Sequence, residues 1–261
     1  MSRERIPTIP VRKEARRTRR TRKLLLLLFL FFITILAILF FHSTLSKVTV
    51  IEIVGNTYVD TASIEAVLDV QLNDQFFLVG AGAIEADVKQ VAGIQDVRVV
   101  KTFPGKIAIH VTEYPAVAWE YADDGEFVVL SNGLSLPQPE GTIPPHLPIL
   151  SGWEASDPVR LQLAAVLAEI GPHHLADVSE ILPYPSASYP DRVKIYTRSK
   201  YEVITAVQYL EEMLPALDNV ILDLKQAGDG PGTLTMLEAI SYAPFGAEDE
   251  GDGDEEGDDA G

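Results

Sequence analysis

The chain has 261 residues, no cysteine and a formal net charge of −17. Thiol catalysis, thiolate metal sites and disulfide-stapled scaffolds are thereby excluded, and the fold must rest on burial alone, which a chain of this length can supply. The charge is unevenly placed: residues 1–23 hold ten Lys/Arg against Glu4 and Glu14, a net of +8, which leaves −25 for everything after them.

Leu24 to Phe41 is an apolar run of 18 residues with only Thr34 polar. At about 1.5 Å rise per residue it makes about 27 Å of helix, close to the thickness of a bilayer's hydrocarbon core. Secretion signals have an apolar core of only about 7–15 residues, followed by small residues at a cleavage site. Here Phe40-Phe41-His42 follows, and Thr44-Leu45-Ser46 is a poor small-x-small site. The run therefore reads as an uncleaved transmembrane helix over 24–45. Basic flanks stay in the cytoplasm, so 1–23 is expected inside and the acidic remainder outside. Lys and Arg directly abutting an apolar run suit anionic lipid headgroups, not nucleic acid.

The next segment, 46–115, alternates strand and helix patterns. "VTVIEIVGN" reads as a strand ending at Gly55-Asn56, after which Asp60 or Thr61 caps a short helix with Ile64, Val67 and Leu68 on one face. "DQFFLVG" is a short apolar link. A second helix carries Ile84, Val88 and Val91 and is expected to stop at Gly93. "IQDVRVVK" and "KIAIHVTE" read as strands around Phe103-Pro104-Gly105-Lys106, a type II turn with Pro second and Gly third. The later strand alternates Ile107, Ile109 and Val111 against Lys106, Ala108, His110 and Thr112. The order is β-α-α-β-β, in which two helices can cover a three-stranded sheet.

Residues 116–245 read as a β-rich domain with two helices. Two strands flank Asp123-Asp124-Gly125, and a turn follows at Asn132-Gly133. Ser156 or Asp157 caps a helix with Pro158 in its first turn and Gly171-Pro172 beyond its end; Val159, Leu163, Val166, Leu167 and Ile170 face inward. "DRVKIYTRSKYEVIT" predicts a hairpin. Thr205 to Gln208 suggests a capping box for a helix with Val207, Leu210, Met213 and Leu214. "NVILDLK" and "GTLTMLEAISY" are predicted as the last two strands. Residues 246–261 hold nine acids and no large apolar side chain, a composition that predicts a disordered acidic tail.

No constellation for catalysis, metal or cofactor binding emerges. Val79 to Ala86 imitates a dinucleotide loop, but Glu85 stands where the third glycine belongs, and its charge would oppose a pyrophosphate. His42, His110, His146, His173 and His174 lack any zinc spacing. No G-x-S-x-G elbow occurs. Asp123-Asp124 suits a turn better than acid catalysis. In the tail, Asp252 to Gly257 starts like a calcium loop, yet Glu256 occupies the third ligand position and no closing glutamate follows. What remains is a binding platform. Sheet edges can accept a strand from a partner, and the last strand, about Thr233 to Ile240, is the best candidate. The residues singled out by position in that strand are Thr233, Leu234, Thr235, Met236, Leu237 and Glu238, with Tyr242 and Phe245 as aromatic anchors.

Strand, "GN", helix, helix, strand and "FPGKIAIHVTEYPAVA", with Glu113-Tyr114-Pro115-Ala116-Val117-Ala118 closing the pattern, resembles the POTRA domain of the FtsQ/DivIB family of bacterial cell-division proteins. The resemblance extends over anchor, POTRA domain and β-rich domain, about residues 20–245. Asp223-Leu224-Lys225 is similar to that family's Asp-Leu-Arg, with Lys departing from the bidentate Arg. The resemblance implies a bitopic, non-enzymatic scaffold of the divisome, enriched at the septum. Its implied partners are the FtsB/DivIC-like and FtsL-like single-span proteins and, indirectly, the septal peptidoglycan synthase. The short basic start and acidic tail look more like the DivIB form. Two other readings, a different POTRA protein that handles exported polypeptides and a membrane-anchored wall hydrolase, lack respectively a following barrel and a catalytic constellation.

Overall fold

The structure, a computed structural model, describes residues 19–122, 125–138 and 147–245, with side chains from Thr21 onward. The basic segment up to Thr18, the Asp123-Asp124 turn, His146 and the acidic tail with its calcium-loop-like stretch lie outside the described residues. The architecture is α+β: an N-terminal apolar helix, a β-α-α-β-β domain and a β-rich domain. The chain divides into two compact units, one of α1 with residues 44–51, 70–80 and 101–107, the other of 52–69, 81–100 and the described residues from 108 on.

In the first unit, α1 (Arg19–His42) contains the one helix among the described residues long and apolar enough to cross a membrane, Thr21–His42. It ends at Ser43, whose Oγ accepts the Leu45 N–H of a 3-10 turn over Thr44–Ser46. The chain then pairs at once with the 73–76 loop: Phe76 N–H donates to Ser46 O (2.9 Å), Val48 N–H to Asp74 O (2.8 Å) and Asn73 N–H to Val48 O (2.9 Å). The turn at 103–106 closes over the same segment. Its Phe103–Pro104 bond is cis, Gly105 has φ +71°, and the Gly105 carbonyl accepts from Thr49 N–H (2.8 Å). A Cβ on Gly105 would run into the Lys47 carbonyl oxygen, so only glycine fits this turn.

The expected β-α-α-β-β order is present: β1 (Val50–Val54), α2 (Thr61–Glu65), α3 (Ala81–Val88), β2 (Ile94–Thr102) and β3 (Lys106–Glu113), with the three strands in the order β1-β3-β2. β3 is the central strand, and Ile107, Ile109 and Val111 are buried, as the alternation requires; Ala108 on its other face is buried too. Ile64, Ile84 and Val88 are buried as predicted. Two helix boundaries differ. α2 is only five residues long, so Val67 falls past its end and is exposed. α3 ends at Val88, ahead of Gly93, and Val91 is half-buried in the link to β2.

The β-rich domain is a nine-stranded sheet ordered β12-β11-β10-β9-β8-β7-β4-β5-β6. Its strands are β4 (Ala116–Ala122), β5 (Gly125–Leu130), β6 (Ser135–Pro137), β7 (Ile149–Leu150), β8 (Val178–Pro183), β9 (Arg192–Thr197), β10 (Glu202–Ala206), β11 (Gly232–Met236) and β12 (Ile240–Pro244). α4 (Pro158–Ile170) and α5 (Leu210–Ala227) pack on this sheet, with Leu163, Leu167, Leu210, Leu214, Leu217 and Ile221 in one core with Ile181, Ile195, Val203 and Leu234. α4 carries the predicted start and stop: Asp157 accepts the Val159 N–H, Pro158 opens the helix and Gly171 (φ +78°) ends it. The β9–β10 hairpin also forms as predicted.

Three readings are corrected. "NVILDLK" is not a strand but the second half of α5, whose apolar stripe runs Leu210, Leu214, Leu217, Ile221, Leu224. The reason is topological: β10 and β11 pair in parallel, and a parallel pair needs a crossover of a dozen or more residues, which α5 supplies. The Asp223-Leu224-Lys225 stretch lies in this helix, which ends in a left-handed Gly228 with Asp229 N–H reaching back to Leu224 O (3.0 Å). The capping box at Thr205 does not exist. Thr205 belongs to β10 with its hydroxyl buried, and Gln208 N–H donates to the Asp191 carboxylate (3.2 Å). Finally, "GTLTMLEAISY" is two strands, β11 and β12, in antiparallel register from Gly232↔Pro244 to Met236↔Ile240.

Candidate functional site

The residues singled out at 233–245 fall on the β11–β12 hairpin, but β11 is not the edge expected of it. It is paired to β10 on one side and to β12 on the other, so the terminal strand at this end of the sheet is β12, with β6 terminal at the far end. The Leu237–Ala239 turn that returns the chain contains no Gly, Pro, Asn or Asp, which is why the sequence reads as one continuous strand. Side-chain alternation splits the set. Leu234 and Met236 point into the core and are buried, whereas Thr233 and Thr235 face the other side and are half-exposed. Leu237 is half-buried in the turn, and Glu238 is exposed, accepting a hydrogen bond from the Tyr189 hydroxyl (3.3 Å). Phe245 is exposed at the end of β12.

Beyond Pro244, Phe245 N–H donates to Pro231 O (3.5 Å), and at the turn Leu237 N–H donates to Ala239 O (3.4 Å). Alternation in an antiparallel pair then directs the N–H and C=O of Ser241 and Ala243 towards β11 and those of Ile240 and Tyr242 outwards. Pro244 offers no N–H. The outward row is therefore short and donor-poor at one end, a recognised way of restricting what can pair with an edge. Gly232 keeps the hairpin closed: a Cβ there would collide with the Ala243 carbonyl oxygen.

Alongside the edge runs a groove of about 740 Å³ on the sheet face opposite the core, lined by Tyr184, Lys194, Glu202, Thr233, Thr235 and Ser241, among others. Its floor is polar and ordered. Lys194 pairs with Glu202 (3.3 Å) and lies over the Tyr184 ring at 4.9 Å, with the Arg192 guanidinium over the same ring at 4.5 Å. Tyr242 donates its hydroxyl to Gly230 O (2.7 Å), tying β12 to the turn after α5. Desolvation first, then the Asp229 charge and Tyr201, raise the Tyr242 phenol above its ordinary range. Desolvation, Glu238 and Tyr209 do the same for Tyr189. A groove of matched charges, hydroxyls and an open strand edge can hold an extended peptide; it has no nucleophile paired with a base.

Two polar arrangements emerge only in the folded chain. The Glu113 carboxylate at the end of β3 accepts N–H groups from Thr57, Tyr58 and Val59 (2.9, 3.0 and 2.7 Å), which holds the loop after β1. Arg160 in the first turn of α4 is 1% exposed and binds Gly133 O, Glu120 Oε2 and Ser135 Oγ at 2.8, 2.8 and 2.6 Å. Glu85 of the apparent dinucleotide loop instead accepts the Val99 N–H (2.8 Å). The rings of His173 and His174 contact each other beyond α4, and His110 is exposed on β3.

Comparison with known proteins gives the fold its lineage. Residues 46–114 match the model of the FtsQ-type POTRA domain. The cell division protein DivIB of Paenibacillus polymyxa is 40% identical over 209 residues, covering 80% of this chain and 80% of that one. The DivIB proteins of Geobacillus kaustophilus and Bacillus subtilis are 32% and 29% identical, over 95% and 94% of this chain and 94% and 91% of theirs. Among solved structures, the extracytoplasmic domain of DivIB from Geobacillus stearothermophilus is 29% identical over 44% of this chain and 97% of that one, with a TM-score of 0.36. With the apolar helix at its N-terminal end and the POTRA domain directly after it, this chain belongs to the DivIB family of bacterial cell division proteins, and it is a membrane-anchored member.

Proposed function

We propose that the chain is a non-enzymatic bitopic scaffold of the divisome. Residues 1–23 lie in the cytoplasm and 24–45 cross the membrane; the POTRA domain (46–115) and the β domain (116–245) lie outside, where they bind other division proteins and so organise septal peptidoglycan synthesis. The partners of this reading are FtsB/DivIC-like and FtsL-like single-span proteins, and through them the septal synthase. The observation that carries it is the free outer edge of β12 beside a polar groove, a site built for an extended segment. Thr233, Thr235, Tyr242 and Phe245 border this site and Glu238 lies in the turn that joins its two strands, whereas Leu234 and Met236 act from the core by holding β11 in place.

Two measurements test it. A fluorescent fusion of the full chain gathers at midcell in dividing cells; a uniform membrane distribution overturns the divisome role. For the edge, proline belongs at Tyr242, whose N–H faces away from β11, because proline in the doubly paired β11 would damage the sheet itself. Tyr242→Pro abolishes capture of a DivIC-like extracytoplasmic segment, while Tyr242→Ala, which keeps the N–H, retains it. Equal capture by both variants removes the edge from the mechanism. Muralytic activity of the purified chain that disappears on a point substitution would instead favour a hydrolase.

A further inference from the structure

The apolar surface of this molecule does not end with the transmembrane helix. Around the C-terminal end of α1, within the same compact unit, Leu45, Leu72, Phe77, Leu78 and Phe103 are all exposed, Leu78 at 82%. They join the span through a run of aromatic contacts. Phe40 lies 5.6 Å from Phe41 and 5.9 Å from Phe77, ring centre to ring centre; Phe77 lies 5.4 Å from Phe76 and 6.1 Å from Phe103. Exposed large apolar side chains at the tip of a loop are unfavourable in water, and here they stand level with the last turn of an apolar helix.

The polar groups at the end of the helix are matched within the protein, although the buried Gln75 Oε1 has no protein partner. The Phe41 carbonyl, left without a partner by the end of the helix, accepts both the Ser46 hydroxyl (2.9 Å) and the Gln75 side-chain amide (3.1 Å). The Ser46 hydroxyl is fully buried in doing so. Lys101 extends along the Phe76 ring, 4.7 Å from its centre, and donates to the Val79 carbonyl (2.6 Å), which fixes the base of the loop that carries Phe77 and Leu78. Rigid backbone, apolar tip and a lysine at the base form the pattern of a segment that dips into a lipid interface while its cation stays among the headgroups.

We infer that the 72–79 loop and the 103–105 turn form a second, monotopic membrane contact, seated in the outer leaflet at the boundary of headgroups and acyl chains beside the span. The occupant of this apolar face is lipid, because the face is continuous with the helix surface that lipid already covers. The inference rests on the reading of α1 as a membrane span, and its test separates the two.

The chain has no native cysteine, so single-cysteine spin labels report individual positions without background. The full chain is reconstituted in vesicles of phosphatidylethanolamine and phosphatidylglycerol. It is labelled in turn at Leu30→Cys in the span, Leu78→Cys at the loop tip and Leu222→Cys on the exposed face of α5. Collisions with oxygen, which concentrates in lipid, are compared with those of a water-soluble nickel chelate. The label at 78 reads as lipid-immersed, within about 5–10 Å of the headgroup boundary, while the label at 222 reads as aqueous. Phe77→Asp shifts the label at 78 into water in the Leu78→Cys chain and leaves the label at 30 unchanged in the Leu30→Cys chain. A lipid reading at 30 with an aqueous reading at 78 overturns the inference and leaves the span standing; an aqueous reading at both overturns both. Spectral broadening at 78 that disappears on dilution with unlabelled chain assigns the face to a second copy and equally overturns it.

Discussion

Arg160 holds a carbonyl, a hydroxyl and a carboxylate from the β4–β6 end of the sheet with almost no access to water. Removing only the cation leaves Gly133 O without its donor and the Glu120 carboxylate with the Ser135 hydroxyl (2.7 Å) in place of its counter-charge. Arg160→Met should therefore lower stability by about 3 kcal/mol, and Arg160→Met with Glu120→Leu should recover most of it. Denaturation followed by the fluorescence of Trp119 and Trp153 reads both. Glu113 acts in the opposite direction, one carboxylate for three amides. Glu113→Ala should cost about 1–3 kcal/mol and should appear first as faster hydrogen exchange at Thr57, Tyr58 and Val59. Arg160 does not stand out in the sequence, and Glu113 stands out there only as part of the Glu113-Tyr114-Pro115 pattern, because a lone Arg in a helix and a lone Glu at a strand end are ordinary solvent-facing positions until the fold surrounds them. The raised phenol of Tyr242 has a definite sign. The folded state holds that proton more tightly than the unfolded one, so its contribution is complete below the ordinary phenol value of 10.0 and is lost as pH rises through the higher folded value. Absorbance titration should show the Tyr242→Phe variant less sensitive to alkali than the parent chain.

Among the elements, α4 and β3 were legible because local rules settle them: cap, Pro and Gly for one, strict alternation in a central strand for the other. α5 was not. Pro215 lies inside the helix and looks like a stop, and the Val220-Ile221-Leu222 run suits a strand equally well. Only the parallel pairing of β10 with β11, a long-range fact, demands a helix there. Pro215 removes one helical hydrogen bond, so Pro215→Ala should raise stability by up to about 3 kcal/mol, less whatever flexibility the unfolded chain regains; a fall in melting temperature would mean that ring packing outweighs the missing bond. The candidate site was half legible for a related reason. Alternation identifies the outward Thr233 and Thr235, but which edge is free depends on β12 folding back through a turn without turn residues. Gly232→Val should force β12 off β11, and partner capture should fail while amide protection around Glu113 persists.

At the scale of the whole molecule, the apolar helix and the segment that follows it are joined without a linker. The helix end passes through one 3-10 turn into a backbone ladder with 73–76, and the Phe41 carbonyl of its last turn is gripped by Ser46 and Gln75. A flexible tether would let the span spin freely beneath its cargo. This junction makes azimuth a shared coordinate: a twist imposed on the span by neighbouring helices turns residues 44–51, 70–80 and 101–107 with it. Each residue inserted into the span rotates what lies above it by about 100°. Insertion of one to four alanines after Phe29 should therefore give a cell-division phenotype that oscillates with about one helical turn, worst near two and largely restored near four. A phenotype that merely worsens with length would show that only height matters. The junction thus gives the protein a torsional handle, by which the orientation of one helix in the membrane can be sensed outside it.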